Sequence, residues 1–353
     1  MRLLRRHVLV GGIAAIPAAA LAQHEQHRGL FANLKDPNAT TPPSDMEAQR
    51  YFLTNAPRAV RQGRWRSRAL LPLPRSEMAW ATALGGRMHL IGGYGDQAPN
   101  RTYHHAYEPG GDLWRTFAPL PMGANHVGVA ALADRIYAVG GFTEQNKAPH
   151  SQVFSWDAAT DRWSKLAPLS SPRGAISVVA MGAMIHAVGG RDSRSVETHE
   201  VYDPKADAWT TARPLAGHRD HIGAVEAHGM LHAIGGRKDT FDFNTPLHLA
   251  YDLRTDRWEE RAPMPTPRSG HGAVWYRDRI FCFGGEGTRR VFGNNEAYDP
   301  VRDQWEAFAP MPTPRHGLGA AVLDDWIYVA GGGPVEGGGT QTAFHEAFTI
   351  GSA

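Results

Sequence analysis

A double glycine recurs six times along the chain and constrains the fold more than any other feature. The pairs begin at Gly92, Gly140, Gly189, Gly235, Gly284 and Gly331, which are 46 to 49 residues apart. Each pair follows a short alternating apolar run, such as "MHLIGG" or "IYVAGG", and this pattern is typical of a β-strand. Repetition at such a period indicates a propeller, a solenoid or another repeat array.

Two aromatic positions recur in the same register. The tryptophans are Trp65, Trp114, Trp163, Trp209, Trp258 and Trp305. An aromatic residue stands seven positions before five of them, and these residues are Tyr107, Trp156, Tyr202, Tyr251 and Tyr298. A double glycine, a spaced tyrosine and a spaced tryptophan at a period near 50 resemble the kelch repeat. The resemblance covers about residues 63–353.

The resemblance implies an all-β fold, a six-bladed kelch β-propeller with four antiparallel strands in each blade. The array opens with "RWRSRALLPLP", which predicts a fourth strand without its first three, and it ends after a third strand around Phe348. We therefore expect the N-terminal strand to complete the C-terminal blade and to close the ring, which removes open edges. The glycines are expected where blades converge and the aromatics in the gaps between blades.

The chain begins with a predicted export signal at residues 1–22. Arg2, Arg5 and Arg6 precede a weakly apolar stretch that ends at Ala22, as in a cleavable signal peptide, and the arginine pair resembles a twin-arginine signal. We expect cleavage after about Ala22, a periplasmic or secreted location, and no membrane span in the mature chain. Residues 23–62 are expected to form a polar extension with a short helix capped by Ser44.

Charge and cysteine content exclude two classes of function. The net charge of +2 becomes −1 once the three arginines of the signal are removed, so a nucleic-acid partner is not expected. The single cysteine, Cys282, excludes an internal disulfide framework, and its apolar setting predicts a small buried side chain. We expect a monomer without a cofactor.

A Pro-Arg corner precedes several first strands and predicts a ligand-binding face. In a propeller, the loops that join strand 4 to strand 1 and strand 2 to strand 3 emerge on one face, and loops on a rigid scaffold often carry function. Sixteen residues before each double glycine stand Ser76, Ala124, Arg173, Arg219, Arg268 and Arg315. These arginines are expected either to form a positive pocket for carboxylates, phosphates or acidic sugars, or to tie neighbouring loops together.

The candidate site residues come from both kinds of loop. The ligand-binding candidates are Asn125, His126, Arg173, Arg191, Arg219, His221, Arg237, Arg268, His271, Arg315 and His316. The candidates for acid and base chemistry are Glu77, Asp220, His221 and Glu286. Several of these residues differ between repeats, so the repeat frame alone does not explain them.

Four further histidines occupy one repeat position, three residues before the spaced aromatic. They are His104, His199, His248 and His345. Equivalent positions on different blades lie far apart unless they face the axis, and third strands do not face it. We therefore expect no metal ion at these four histidines, and no metal site elsewhere.

Three functions fit the sequence. The first is a non-catalytic module that binds a glycan, an anionic small molecule or a protein on its loop face. The alternative is a sugar mutarotase that resembles N-acetylneuraminate epimerase, a periplasmic six-bladed kelch enzyme, with acid and base residues at the channel mouth. A copper oxidase resembling galactose oxidase is disfavoured because it needs a cysteine cross-linked to a tyrosine, and Cys282 stands within a predicted strand.

Overall fold

The computed structural model describes residues 62–77, 81–95, 98 and 100–351. The predicted signal and the predicted short helix lie outside these residues. Within the described part of the chain, no helix combines the length and the apolar character that a membrane crossing needs.

Six four-stranded antiparallel sheets follow one another along the described chain. The first strand, β1 (Arg64–Ser67), precedes the first complete blade. Blade 1 contains β2 (Thr82–Leu84), β3 (Arg87–Ile91), β4 (His104–Glu108) and β5 (Leu113–Thr116). Blade 2 contains β6 (Gly128–Leu132), β7 (Arg135–Val139), the side hairpin β8 (Phe142–Glu144) and β9 (Lys147–Pro149), then β10 (Val153–Asp157) and β11 (Arg162–Leu166). Blade 3 contains β12 (Ser177–Met181), β13 (Met184–Val188), β14 (His199–Asp203) and β15 (Ala208–Thr211).

The second half of the chain repeats this order. Blade 4 contains β16 (Gly223–Ala227), β17 (Met230–Ile234), β18 (His248–Asp252) and β19 (Arg257–Arg261). Blade 5 contains β20 (Gly272–Tyr276), β21 (Arg279–Phe283), the side hairpin β22 (Glu286–Gly287) and β23 (Arg290–Val291), then β24 (Asn295–Asp299) and β25 (Gln304–Ala307). Blade 6 contains β26 (Gly319–Leu323), β27 (Trp326–Ala330) and β28 (His345–Thr349). Single 3₁₀ turns lie at Pro109–Gly111 and Phe241–Phe243.

The ring closes between the two ends of the described chain. Strand β1 pairs with β28 in antiparallel register, with Trp65 opposite Phe348. The sixth sheet therefore has the order β1-β28-β27-β26, which confirms the predicted closure. Without β1, the outer edge of β28 would be open to pairing with another chain.

The double glycines join each blade to the next one. The second glycine of each pair donates its N–H, over 2.7 to 3.0 Å, to a backbone carbonyl of the following blade. The six bonds run from Gly93 to Ala124, Gly141 to Arg173, Gly190 to Arg219, Gly236 to Arg268, Gly285 to Arg315 and Gly332 to Arg75. The first glycine has no room for a side chain, because a Cβ at Gly284 would lie 2.2 Å from the carbonyl oxygen of Arg315.

The same bonds correct one repeat assignment. Arg75, not Ser76, accepts the bond from Gly332, so Arg75 occupies the corner position of blade 1. Ser76 instead pairs with Tyr94, as Asp220 pairs with Arg237 in blade 4. Blade 1 therefore carries one extra residue between its corner and its double glycine, which the glycine-based alignment did not reveal.

The recurrent aromatics lie between blades, as predicted. The Trp305 indole donates to the carbonyl of Ala262 in the preceding blade over 2.8 Å. The Tyr298 hydroxyl donates to Asp303 over 2.6 Å, and Asp303 accepts the backbone N–H of Ala262. All six recurrent tryptophans make the equivalent bond to a neighbouring blade. Each aromatic thus packs and also satisfies backbone groups at the blade edge.

The third-strand histidines belong to these interfaces. His248 is fully buried and packs edge-on against Tyr298 with ring centroids 4.4 Å apart. Its Nε2 lies 2.9 Å from Nδ1 of His232, and its Nδ1 faces the Ala262 carbonyl. Burial, followed by the charge of His232, lowers the pKa of His248 to about 3. In blade 5 the same position holds Asn295, whose amide donates to the Ala309 carbonyl.

Replacing His248 by Asn should therefore reduce the sensitivity of the fold to acid. An unfolded histidine takes up a proton near pH 6.5, whereas folded His248 resists protonation down to about pH 3. The unfolded state binds more protons than the folded state in this window. The contribution of His248 to the free energy of unfolding is therefore fully present above pH 6.5 and decreases as the pH drops. When the pH is lowered from 7.5 to 5, the free energy of unfolding measured by urea titration should fall by about 2 kcal/mol less in His248→Asn than in the parent protein. Equal losses in the two proteins would contradict this role.

Candidate functional site

Six equivalent backbone positions form a ring at one end of the central channel. This axial ring consists of Glu77, His126, Ala175, His221, Gly270 and Gly317, and all six have a positive φ, between +48° and +62°. Each described N–H from His126 to Gly317 donates to the carbonyl of the preceding ring member over 2.8 to 3.3 Å. Two of the six positions are glycine, which tolerates a positive φ, whereas the four non-glycine residues hold an unfavourable backbone conformation. Such conformations cluster at functional sites.

The loops between strands 2 and 3 lie beside this ring. Backbone bridges join Asp220 to Arg237 and Ser269 to Glu286. They bring the side chains of Arg237 and Glu286 next to the ring residues. We call the resulting group the mouth cluster, and its members are Glu77, Asn125, His126, Asp220, His221, Arg237, Glu286 and His316.

Glu77 lies between two histidines of other blades. Its Oε2 is 2.9 Å from Nε2 of His126, and its Oε1 is 3.0 Å from Nε2 of His316. All three side chains are buried. Burial raises the pKa of Glu77, but the two histidines outweigh burial and hold that pKa well below its usual range. Glu77 is therefore a carboxylate.

Glu286 connects the histidine side of the cluster to Arg237. Its Oε1 accepts a 2.6 Å bond from Nη1 of Arg237, and its Oε2 is 3.3 Å from Nε2 of His316. The backbone N–H of Gly337 also donates to Oε2 over 2.8 Å. Burial raises the pKa of Glu286, but His316 and Arg237 outweigh burial and lower it.

Asp220 holds the opposite side of the cluster. It accepts bonds from Nδ1 of His221, from Nε of Arg237 over 3.1 Å and from the Ser195 hydroxyl over 2.6 Å. Nη2 of Arg237 lies 3.1 Å from Nε2 of His221. The Arg237 guanidinium thus bridges two carboxylates and one imidazole in a buried setting, where charge-assisted bonds are strong.

Two histidines of the cluster have pKa values displaced in opposite directions. Burial would lower the pKa of His316, but the carboxylates of Glu286 and Glu77 outweigh it and raise the pKa to about 9. Burial and then the Arg237 charge lower the pKa of His221 to about 4, against the raising effect of Asp220. At neutral pH one imidazole is therefore a cation and the other is neutral.

The corner arginines do not join the cluster, and this corrects the expectation of a positive pocket. Arg173, Arg219, Arg268 and Arg315 are at most 3% exposed. Arg315 donates to the Gly331 carbonyl over 2.8 Å and pairs with Glu346. Arg268 pairs with Glu296 over 2.6 Å, and Arg173 pairs with Glu200. Their guanidinium groups turn into their own blades and serve the frame.

Three other predicted residues also lie away from the cluster centre. Arg191 is at the rim, 4.0 Å from Asp220, and it donates to the carbonyl of Asp239. His271 is fully buried between blades, where its ring fills the space beside Gly223. Cys282 is buried in β21, as predicted, and burial raises the pKa of its thiol to about 12.

Two contributors to the site had no signal in the sequence. The hydroxyl of Ser195 bonds both Asp220 and the N–H of Asp239. Gly337 belongs to a glycine-rich loop in blade 6, and its neighbour Gly338 packs against the Tyr94 ring. Both residues come from loops between strands 2 and 3, and these loops differ in length from blade to blade, so the repeat alignment could not place them.

The channel beneath the cluster has a different character. A cavity of about 310 Å³ runs between the first strands and is lined mainly by alanine and valine, such as Ala130, Val179 and Ala321. The polar groups are therefore concentrated at the mouth. Within it, Glu77, His126 and His221 have ligand atoms within 4.8 Å of one another, and this set could hold a metal ion.

Comparison with known proteins agrees with this architecture. The kelch motif matches residues 124–170, 172–216 and 267–312, each of which runs from a corner to a fourth strand. The solved structure of YjhT is similar to this chain with a TM-score of 0.68 at 13% sequence identity, covering 78% of this chain and 95% of that chain. At this identity the likeness concerns the fold alone. The chain therefore carries kelch motifs, and its fold is a six-bladed β-propeller.

Proposed function

We propose that the protein is exported and binds a small polyhydroxylated ligand, such as a sugar or sugar derivative, at the mouth cluster. The observation that carries the proposal is the convergence of eight polar side chains from five blades on one channel mouth. The fold does not require polar side chains at the axial ring, because three of its six positions are Ala175, Gly270 and Gly317. Fold alone does not define function, so the proposal depends on these residues.

The chemistry of the cluster suits hydroxyl groups. A hydroxyl both donates and accepts hydrogen bonds, and the mouth places carboxylates next to imidazole and guanidinium donors. The three carboxylates are only partly balanced by Arg237 and by His316, whose pKa of about 9 keeps it charged at neutral pH. Because the corner arginines are buried in the blades, the balance favours a ligand with little net negative charge. Arg191 at the rim is a further cation, 4.0 Å from Asp220.

Matched Glu→Gln variants in blade 5 should separate binding from stability. Glu286 is in the mouth cluster, whereas Glu296 pairs with Arg268 inside the frame. In thermal-shift and calorimetric titrations with a panel of neutral and acidic sugars, Glu286→Gln should weaken the best ligand at least tenfold, which corresponds to about 1.4 kcal/mol. Glu296→Gln should lower the melting temperature and leave the dissociation constant unchanged. Equal weakening in both variants, or no binding of any sugar, would contradict the proposal.

A second candidate function is general acid/base catalysis of sugar mutarotation. The specific observation in its favour is the pair of histidines with displaced pKa values, because paired groups pushed apart in this way often mark acid and base roles. At neutral pH, His316 can donate a proton to a ring oxygen, and His221 can accept one from an anomeric hydroxyl. The resemblance to N-acetylneuraminate epimerase in length and blade number agrees with this candidate.

The catalytic candidate predicts anomer exchange that is faster than in buffer. For a sugar that binds, NMR exchange measurements should show a rate that stays level between about pH 4 and 9, the pKa values of His221 and His316. His316→Asn or His221→Asn should lower that rate at least 100-fold, the usual effect of losing a general acid or base, while the thermal shift persists. If a sugar binds and its exchange is no faster than in buffer, the protein is a binding module.

A further inference from the structure

Two blades present a histidine to the axis in the same manner. His126 and His221 are both axial-ring residues with positive φ, and each directs Nδ1 at the side chain of the residue before it. Nδ1 of His126 contacts Oδ1 of Asn125, and Nδ1 of His221 donates to Asp220. Nε2 of His126 then faces Oε2 of Glu77 at 2.9 Å, and Nε2 of His221 faces Nη2 of Arg237 at 3.1 Å. The two ring centroids lie 4.8 Å apart.

This arrangement is the one that metal-binding histidines adopt. A ligating imidazole almost always donates its other N–H to a carboxylate, an amide or a carbonyl oxygen, which fixes the ring orientation. Here the partner amide is itself fixed, because Nδ2 of Asn125 donates to the carbonyls of Phe142 and Glu144. The orientation of both imidazoles is therefore set by the protein before any ion arrives.

We propose that the axial ring binds one divalent transition-metal ion of the zinc class through Glu77, His126 and His221. Their ligand atoms lie within 4.8 Å of one another. A tetrahedral zinc ion with bonds of about 2.0–2.2 Å places its ligand atoms about 3.4 Å apart, so small side-chain shifts complete the set. Two imidazoles and one carboxylate form a familiar zinc donor set, with a fourth position left for water or a ligand oxygen. This inference departs from the sequence-based expectation of no metal.

The ring provides space for the ion on its remaining sides. Its other members are Ala175, Gly270 and Gly317, so three of six positions carry no bulky side chain. A Cβ at Gly317 would lie 2.7 Å from Oε2 of Glu77, and its absence leaves that carboxylate free to turn towards the axis. The three carboxylates of the mouth cluster outnumber its two cations, Arg237 and His316, and this excess of negative charge favours a cation.

Two groups compete with the ion for the same atoms. Arg237 contacts Nε2 of His221 over 3.1 Å, and His316 contacts Oε1 of Glu77 over 3.0 Å. Arg237 can give up the imidazole and keep its bonds to Asp220 and Glu286. Glu77 can bind the ion through Oε2, the oxygen that faces His126. Metal binding thus needs a local exchange of partners but no change in the blades.

The test is calorimetric titration of tag-free protein, stripped with a chelator, with Zn²⁺ alone and no organic ligand. We expect one equivalent to bind, and His126→Asn or His221→Asn to weaken binding at least tenfold, within the usual range for loss of a ligand or its support. His218→Asn is the matched control, because His218 is on the same loop face but half exposed, with its Nε2 3.9 Å from a carboxylate oxygen of Glu197. This variant should bind as the parent protein does.

A spectroscopic readout identifies the donor atoms. Cu²⁺ added in place of Zn²⁺ should give an electron paramagnetic resonance spectrum with coupling to two imidazole nitrogens, reduced to one in either axial histidine variant. The proposal is overturned if the folded protein binds no ion at millimolar Zn²⁺, or if binding survives the loss of both axial histidines or disappears in His218→Asn. The titration contains no sugar, so a failure here leaves the proposed ligand site standing, and a failure to bind sugars leaves this result standing.

Discussion

The hydrogen bond from the second glycine of each pair to the corner carbonyl of the next blade is the interaction on which the rest of the structure depends. It occurs six times, and the bond from Gly332 to Arg75 closes the circle. The first glycine allows the close approach that this bond requires, since a Cβ there would meet the same carbonyl. Because the corner carbonyl is fixed, the axial-ring residue, which lies two positions after the corner residue, is fixed as well. The positions of Glu77, His126 and His221 are therefore consequences of blade-to-blade bonding.

Residues that recur in the repeats and residues that differ between repeats have different roles in the molecule. The corner arginines, the outer aromatics and the third-strand histidines recur, and each satisfies carbonyls, carboxylates or rings inside the frame. Removing one partner of a buried ion pair such as Arg268–Glu296 is costly, although the pair itself is weak evidence of net stability. The residues that differ between repeats lie instead at the mouth, where three carboxylates, three histidines and Arg237 form one network. Function is proposed there because the frame leaves these groups unexplained.

The repeat pattern was enough to predict the fold, including ring closure by the N-terminal strand, because glycine spacing reports directly on blade spacing. It also indicated Glu77, Asp220, His221, Arg237 and Glu286, since each departs from the repeat. It failed for the corner arginines because spacing locates a Cα atom but not the direction of its side chain. The axial-ring residue lies two positions after the corner residue. Its positive φ turns its side chain towards the axis, while the side chain of the corner arginine turns into the blade. Ser195 and Gly337 lie in loops between strands 2 and 3 whose lengths differ from blade to blade, so no alignment within the chain could place them.

The mouth holds a buried, mutually dependent network of charges, and direct titration of its histidines is the simplest test of this arrangement. With ¹⁵N-labelled imidazoles assigned by His316→Asn and His221→Asn, the ring resonances can be followed by NMR from pH 3.5 to 10. We expect His316 to stay protonated to about pH 9 and His221 to stay neutral down to about pH 4. Titration of both rings near pH 6.5 would contradict this expectation, because ordinary pKa values would mean that the mouth is open to solvent and its charges are not coupled.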